Sequence, residues 1–311
     1  MGLVVEQINK SFGQLQVIKD LSMEVREASI FGFLGANGAG KTTTMRMILD
    51  IIRPDSGSIT WNGNDVREVP RHDWGYLPEE RGLYPKVSVE DQLIFLARLQ
   101  GLSKPAAQHN LDEWLERFQI TEYRKRKVEE LSKGNQQKIQ FLAAIIHDPL
   151  ILIMDEPFSG LDPVNANVLK EAFLEMHRRG KTIIFSTHQL EQVEELCEDV
   201  LIINKGQTVI AGSVRDIKRQ HGRNVARLKL DNDADARWLD TLEGVQVTNR
   251  RQDYIEMRIR ADLNPNVIVE AALRNGGIIS LFELVEPSLT DIFIEAVGKI
   301  ALPDTQSILS A

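Results

Sequence analysis

Residues 35–42 read GANGAGKT, and they stand between an apolar strand predicted at 29–35 and a helix predicted to begin near Gly40. The spacing of the glycines, the lysine and the threonine matches the phosphate-binding P-loop. Glycines let backbone N–H groups turn inward around phosphate oxygens, and the positive end of the helix points at the same anion. The pattern therefore predicts a nucleotide site, with Lys41 reaching the β- and γ-phosphates and Thr42 binding Mg²⁺.

The later part of the same domain alternates between apolar strands and helices. Strands are predicted at 150–156 and 182–188, helices at 164–179 and 189–197, and a hairpin at 199–212. Continuous apolar strands between helices indicate a parallel sheet that is covered on both faces. This alternation predicts an α/β fold.

The chain of 311 residues has room for about two domains. Beyond the first domain, six predicted elements follow the β-α-β-β-α-β order of a small ferredoxin-like α+β domain, with its first helix at 234–242. The predicted boundaries are 1–212 for the first domain, with a helical subdomain at about 86–140, then 213–224 for a linker, 225–298 for the ferredoxin-like domain and 299–311 for a frayed tail.

Composition excludes several classes of protein. The formal net charge is −8, from 37 basic and 45 acidic residues, which argues against a general nucleic-acid binder because such proteins neutralise phosphates with positive charge. The single cysteine, Cys197, excludes an internal disulfide framework and a four-cysteine zinc site. No apolar run approaches the roughly 18 residues needed to span a bilayer, and we expect a cytoplasmic protein.

Two acidic residues end the strand ILIMDE at 151–156. In parallel sheets the carboxyl end of a strand is where ligands bind. A P-loop ATPase needs a carboxylate there for Mg²⁺, which predicts that role for Asp155. Glu156 is placed to polarise an attacking water as general base. P-loops serve kinases, GTPases and ATPases alike, so these residues by themselves leave the reaction open.

Three further motifs carry a resemblance to a known family. Residues 131–137 read LSKGNQQ, similar to the signature LSGGQ of ATP-binding cassette (ABC) ATPases, SGLD at 159–162 matches the D-loop of that family, and His188 in STH matches its switch histidine. The chain resembles the ATPase subunit of an ABC transporter. Residues 75–93 and the C-terminal PSLTDIFIEAVG further resemble the exporter branch that includes sodium and drug efflux ATPases.

The resemblance implies a P-loop NTPase fold with a mixed sheet and a helical subdomain, and it implies a role for each matching residue. Phe12 would stack on adenine, and His188 would contact the γ-phosphate. Ser132 and Gly134 would touch ATP held on the P-loop of a partner chain, with Asp162 acting across the interface. The implied site residues are Lys41, Glu156 and His188 for catalysis; Phe12, Gly35, Asn37, Gly38, Ala39, Gly40, Lys41, Thr42, Thr43, Ser132, Gly134 and Asp162 for ATP; and Thr42, Glu79 and Asp155 for Mg²⁺.

The sequence departs from the family pattern at four of these motif positions, one of which is Phe12, where Phe replaces the Tyr of the family and keeps the ability to stack. Glu79 stands where most relatives have Gln, in the loop that links Mg²⁺ to the membrane subunit. A carboxylate there would hold the metal more tightly or, if unpaired, repel the γ-phosphate. Lys133 and Asn135 replace the usual signature residues, whereas Gly134 is kept.

The resemblance also implies partners. These are a separately encoded transmembrane permease and a second ATPase subunit, in a homo- or heterodimer that binds two ATP molecules head to tail. The chain would then lie on the cytoplasmic face of the membrane and act without nucleic acid. Substrate choice would belong to the permease, and sodium, drugs, lipids and peptides all remain open. For the C-terminal domain we hypothesise a role in stabilising the dimer or sensing a regulator.

Two other functions are weaker alternatives. A soluble ABC ATPase that acts on nucleic acid or the ribosome usually carries two cassettes or specialised insertions, and this chain has one cassette, no zinc cysteines and a negative net charge. A P-loop kinase for small molecules would leave the signature and the D-loop without a role.

Overall fold

The computed structural model describes residues 1–80, 82–220, 224–231, 236–251, 253–260 and 262–299. They form two compact units, one over Met1–Gly212 and one that begins at Ser213. Of the predicted tail at 299–311, only the first residue lies among the described ones.

The first unit combines strands and helices. Its strands are β1 (Gly2–Phe12), β2 (Leu15–Arg26), β3 (Ile30–Gly35), β4 (Ser56–Trp61), β5 (Asn64–Asp65), β6 (Trp74–Leu77), β7 (Ile151–Asp155), β8 (Thr182–Thr187), β9 (Asp199–Asn204) and β10 (Gln207–Ser213). Its helices are α1 (Lys41–Ile48), α2 (Val89–Leu99), α3 (Lys104–Arg117), α4 (Lys133–Ile145), α5 (Pro163–Arg178) and α6 (Leu190–Leu196).

These strands form two sheets. The order β2-β1-β4-β5 makes an antiparallel sheet, and the order β10-β9-β3-β8-β7-β6 makes the second sheet, in which β9 to β6 run parallel. Every residue of β3 and β8 is buried, as expected for strands covered on both faces. One core joins the antiparallel sheet, α1 and a face of the parallel sheet, with Leu3, Met45, Phe33 and Ile184 among its fully buried side chains.

The helical subdomain is tied to the parallel sheet by aromatic packing. Trp114, Phe118, Phe141, Phe173 and Phe185 form a continuous row whose successive ring centroids lie 5.6 to 5.8 Å apart. Each such pair adds about 0.5–1.5 kcal/mol to the stabilisation from burial alone. The row runs from α3 through α4 and α5 to β8, and so fixes the signature helix α4 against the strand that precedes His188.

The second unit contains α7 (Val214–Gln220), β11 (Val225–Leu230), β12 (Val245–Arg250), β13 (Ile255–Ile259), α8 (Asn266–Arg274), β14 (Ile279–Val285) and α9 (Leu289–Lys299). The sheet order is β12-β13-β11-β14 and every pairing is antiparallel. This arrangement of β11 to β14 is the one that a β-α-β-β-α-β chain order produces.

Two segments of the second unit differ from the sequence-based expectation. The predicted linker at 213–224 contains α7, because Ser213 Oγ accepts a hydrogen bond from the Asp216 amide at 3.3 Å and Val214 and Ile217 bury one face. Where a helix is predicted at 234–242, the described residues form a 3₁₀ turn over Ala236–Thr241. Its buried residues stand three positions apart, which matches the three-residue period of a 3₁₀ helix.

Among the described residues, no helix combines the length and apolar character needed to cross a membrane.

Candidate active site

The P-loop forms an open cradle at the start of α1. Gly40 caps the helix with φ of 110°, and a Cβ there would stand 2.4 Å from Ile18 Cδ1, so both conformation and space require glycine. Gly38 also has positive φ, and a Cβ on it would meet no atom within 4 Å. The first amides of α1 have no acceptor within the helix. Open space beside unpaired amides fits a phosphate group.

Lys41 places a buried positive charge beside this cradle. Its Nζ donates to the Gly35 carbonyl oxygen at 2.7 Å and lies 3.6 Å from Glu156 Oε1. Lys41 is 6% exposed, and a buried ammonium needs a nearby anion. The lysine is therefore held within reach of the cradle by partners that a phosphate oxygen is able to replace.

Asp155 and Thr42 form a partly buried oxygen pair at the end of β7. Thr42 Oγ1 donates to Asp155 Oδ2 at 2.6 Å, and Ser186 Oγ donates to Asp155 Oδ1. Asp155 is 1% exposed and pairs in register with Ser186 of β8. Carboxylate and hydroxyl oxygens are the ligands that Mg²⁺ prefers, usually together with several waters. This donor set fits Mg²⁺.

Glu79, the third predicted metal ligand, is exposed on the loop after β6. Burial raises the pKa of the Tyr76 phenol, and the negative charges of Asp155 and Glu79 contribute smaller increases. In the part of the chain that the structure describes, no hydrogen bond joins Glu79 to Asp155, whose oxygens are bonded to Thr42 and Ser186. Among the described residues, no three carboxylate, imidazole or thiol side chains cluster as a ready-made metal site.

Glu156 turns sharply out of β7. Its φ is 49°, in the left-handed region, and its amide donates to Ser186 Oγ at 3.1 Å. A side-chain-bearing residue in this conformation costs about 1–3 kcal/mol, and such outliers cluster at functional sites. The turn brings the carboxylate 3.0 Å from His188 Nδ1 and 3.6 Å from Lys41 Nζ. The three predicted catalytic side chains therefore meet at one point.

The signature and D-loop residues form a separate group on the surface. Ser132 caps α4 by accepting from the Asn135 amide at 3.3 Å, and Asp162 caps α5 by accepting from the Asn165 amide at 2.9 Å. Asn165 donates to the Asp162 carboxylate from its backbone amide and also from its side chain, and these two hydrogen bonds, the backbone one first, lower the pKa of that carboxyl. A Cβ on Gly134 would lie 2.7 Å from Asn165 Nδ2, so the signature turn lies against the residue that donates to Asp162.

Phe12 lies at the end of β1, opposite Leu15 across the hairpin. It is 51% exposed, and Lys10 Nζ stands 5.6 Å from the centre of its ring. An exposed aromatic face has the chemistry needed to stack on a base.

Three residues at the site are not among the sequence-based predictions. They are Ser186, which holds Asp155 and Glu156, Asn165, which holds Asp162, and Gln140, whose Nε2 donates to the carbonyl oxygens of Pro78 and Glu80 on both sides of Glu79. The available signal is polarity in an apolar context, since Ser186 is the second-to-last residue of the buried strand TIIFST and Gln140 is a buried residue of α4.

A groove lies beside the Glu79 loop. It has a volume of about 350 Å³ and is lined by Ile51, Leu83, Leu96, Leu99, Gln140 and His147, among others; we call it the α2 groove. Leu99 is 66% exposed and Ile51 is 55% exposed. The groove therefore offers an apolar surface next to the loop that carries Glu79.

Comparison with known proteins identifies two families along the chain. The family described as "ABC transporter" matches residues 18–159. The family described as "ATP-binding protein DrrA1-3-like, C-terminal domain" matches residues 212–297. The two matches follow the division of the chain into its two units.

Individual proteins are similar over most of the chain. The "Uncharacterized ABC transporter ATP-binding protein YhaQ" of Bacillus subtilis is 48% identical over 299 residues, which cover 96% of this chain and 99% of that protein. The "Linearmycin resistance ATP-binding protein LnrL" of the same organism is 31% identical over 96% of this chain and 98% of its own length. A solved "ATP binding subunit of ABC transporter" aligns with a TM-score of 0.66 and 31% identity, covering 71% of this chain and 94% of that one.

Proposed function

Since this chain belongs to the ABC transporter ATP-binding proteins, we propose that its ATPase powers the export of a substrate through a separate transmembrane permease. Members of this family are ATPases that drive transport. The observation that carries the proposal is the meeting of Glu156 with both Lys41 and His188 beside the P-loop cradle. That arrangement puts a base, a fixed positive charge and a hydrogen-bonding imidazole around one reacting phosphate.

Glu156, Lys41 and His188 each have a separate role in hydrolysis. Water attacks the γ-phosphorus, the bond from that phosphorus to the β–γ bridging oxygen breaks, and ADP leaves. Glu156 accepts the proton from the water, and its left-handed turn holds the carboxylate in place for this. Lys41 neutralises charge on the β- and γ-phosphates. His188 orients the Glu156 carboxylate and contacts the γ-phosphate.

The remaining P-loop residues bind the nucleotide. Thr42 and Asp155 hold Mg²⁺, with Glu79 as the proposed third ligand, and the bound metal supplies positive charge to the phosphate oxygens. Phe12 stacks on the adenine ring. Backbone amides of the cradle donate to the phosphates; these come from Gly35, Asn37, Gly38, Ala39, Gly40, Lys41, Thr42 and Thr43.

Two ATPase subunits complete each other's sites in this proposal. Family members dimerise and work with transmembrane subunits. Ser132 and Asp162 are exposed, and a second copy's nucleotide offers an anion to the helix end that Ser132 caps. ATP binding closes the dimer and hydrolysis releases it, which converts chemical energy into movement.

The permease docks in the α2 groove. Support comes from the exposed apolar side chains of Ile51 and Leu99, and from the groove's position next to the loop that carries Glu79. Export is favoured by the similarity to a linearmycin resistance ATP-binding protein, because removal of a toxic compound is the way in which a transporter gives resistance, and that similarity spans both units. A chain docked in this way lies on the cytoplasmic face of the membrane.

Product analysis with the purified chain tests the proposal. We expect ATP and Mg²⁺ to yield ADP and inorganic phosphate with water as the sole acceptor, and the rate to rise when the permease is reconstituted with it. Phosphate transfer to a small-molecule acceptor would instead indicate a kinase. Stimulation by RNA or DNA, without any effect of the permease, would favour the alternative of an ABC ATPase that acts on nucleic acid or the ribosome.

A further inference from the structure

We infer that Asn165 is a positioning residue that locks the signature turn at Ser132–Gly134 to Asp162 of the D-loop within one chain. The lock makes the two motifs approach a partner's nucleotide as one rigid element, and this consequence rests on the proposed function. Asn165 belongs to none of the motifs that identify the site, and its assignment comes from its contacts.

Asn165 donates a hydrogen bond to each oxygen of the Asp162 carboxylate. Its backbone amide donates to Oδ1 at 2.9 Å, and its side-chain Nδ2 donates to Oδ2 at 2.5 Å. Capping of α5 requires only the first of these bonds. In an ordinary capping box the side chain of this residue returns to the backbone of the cap, whereas here it returns to the carboxylate and prevents the Asp162 side chain from rotating.

The other face of the same amide lies against the signature turn. A Cβ on Gly134 would stand 2.7 Å from Asn165 Nδ2 and 3.2 Å from its Cγ. Asn165 has little freedom to move aside, because Asp162 holds the same nitrogen. The absence of a side chain at Gly134 therefore lets the signature turn lie close to Asn165. Through Asn165, a shift of the signature turn displaces Asp162 of the D-loop.

The helices beneath this contact are already fixed to each other. Phe141 of α4 and Phe173 of α5 stack with centroids 5.7 Å apart and an interplanar angle of 24°. Above them Ser132 and Asp162 are exposed. The contacts of Asn165 restrain Ser132 and Asp162 as the packed helices beneath them are restrained. Less conformational entropy is then lost when a partner subunit binds to these two residues.

Two substitutions test the lock, with a matched control on the same helix. Asn165→Asp keeps the shape but replaces a donor with a second carboxylate facing Asp162, and an acidic residue in the first turn of a helix is tolerated by the fold. Asn165→Ala removes the side-chain bond and keeps the backbone cap. Asn167→Asp makes the same chemical change at an exposed position of α5.

The rate of amide hydrogen exchange in the full-length monomer measures directly how strongly Asn165 restrains the signature turn. We expect exchange at residues 132–136 to quicken about tenfold or more in both Asn165 variants and to stay unchanged in Asn167→Asp. The double substitution Asp162→Asn with Asn165→Asp reverses the side-chain hydrogen bond and keeps the bond from the backbone amide of residue 165 to the side-chain oxygen of residue 162, and it should restore the parent rate. Unchanged exchange in Asn165→Asp and Asn165→Ala would overturn the inference.

Dimerisation provides the functional readout. In a Glu156→Gln background, we expect Asn165→Asp to weaken ATP-induced dimerisation at least about tenfold while the affinity of the monomer for ATP stays the same. Dimerisation equal to the background, despite faster exchange, would overturn the claim that the two motifs act as one element. A background that fails to dimerise with ATP would contradict the proposed function instead, and the exchange measurement would still decide the lock.

Discussion

His188 Nδ1 lies 3.0 Å from Glu156 Oε2, although the two residues belong to different strand ends. The contact follows from the register of β7 and β8, which pairs Asp155 with Ser186. Glu156, the first residue after β7, turns into the left-handed region, and His188 stands two positions beyond Ser186. The carboxylate of Glu156 is thereby fixed from one side by His188 and from the other by Lys41, at 3.6 Å.

Glu156→Gln should separate ATP binding from hydrolysis. The amide keeps the size of the side chain but no longer accepts the proton from water, and loss of a general base costs about 10²–10⁴-fold in rate. We expect phosphate release to fall by that factor and an ATP-bound dimer to accumulate, as measured by phosphate assay and sedimentation. Glu171→Gln, an exposed position on α5, is the matched control. Parental turnover in Glu156→Gln would remove Glu156 from its proposed role.

Ser186→Ala should weaken the response to Mg²⁺. The serine donates to Asp155 Oδ1 and accepts from the Glu156 amide, so its loss frees the carboxylate that is proposed to hold the metal. Changes to groups that orient metal ligands typically cost 10–100-fold in metal affinity or activity. We expect the Mg²⁺ concentration that gives half-maximal ATPase activity to rise by about this factor. The Glu156 amide keeps its bond to the Ser186 carbonyl oxygen at 3.2 Å, so the strand ends should stay in place.

A serine that does not contact Asp155 serves as the control for Ser186→Ala. Ser58→Ala changes an exposed serine on β4, outside the nucleotide-binding motifs, and should leave the Mg²⁺ response at the parental level. A parental Mg²⁺ response in Ser186→Ala, together with normal folding, would show that Asp155 needs no help from its neighbour.

The P-loop and the acidic strand end could be predicted because their chemistry is local in sequence. Eight consecutive residues define the cradle, and Asp155 and Glu156 simply end an apolar strand. The α/β fold with a P-loop is confirmed by the solved relative and by the parallel sheet, and the separate C-terminal sheet is present as β12-β13-β11-β14.

The contacts that depend on strand register or helix packing could not be predicted in this way. Ser186 reaches Asp155 only because β7 and β8 pair as they do, and Asn165 reaches Gly134 only because α4 and α5 are packed together. The prediction of a linker in place of α7 fails for a related reason. Seven mostly polar residues are too few to form a stable helix alone; in the folded unit α7 is in contact with α9, and its Val214 and Ile217 are buried.

His147 should make stability fall in mild acid. Burial lowers the pKa of this imidazole below its ordinary value, although a bond from Nε2 to the Trp74 carbonyl oxygen and the charge of Asp148 act in the other direction, and His72 and Lys181 lower it slightly. Below about pH 6.5 the unfolded chain then binds a proton that the folded chain lacks. Stability is therefore kept above this pH and lost as the pH drops, by at most about 1.4 kcal/mol per pH unit.

Thermal unfolding of parent and His147→Gln at pH 7.5 and pH 5.5 measures this contribution. Glutamine is able to donate to Trp74 but does not titrate, so the parent should lose more stability than the variant between the two pH values. His109→Gln, at an exposed position of α3, should follow the parent. An equal loss in parent and His147→Gln would show that His147 does not carry the acid sensitivity.

Leu99→Glu should weaken binding of the permease to the α2 groove. Leu99 is 66% exposed, so a charged side chain there faces water in the free chain and changes its stability by no more than about 0.5 kcal/mol. In the docked state the same carboxylate would be buried against apolar atoms without a partner, which costs several kcal/mol. We expect recovery of the co-expressed permease in detergent pull-downs to fall at least about tenfold. Leu174→Glu introduces the same charge at another exposed leucine, on α5, and should retain the permease. Equal recovery with both variants would place the permease contact on a surface other than the α2 groove.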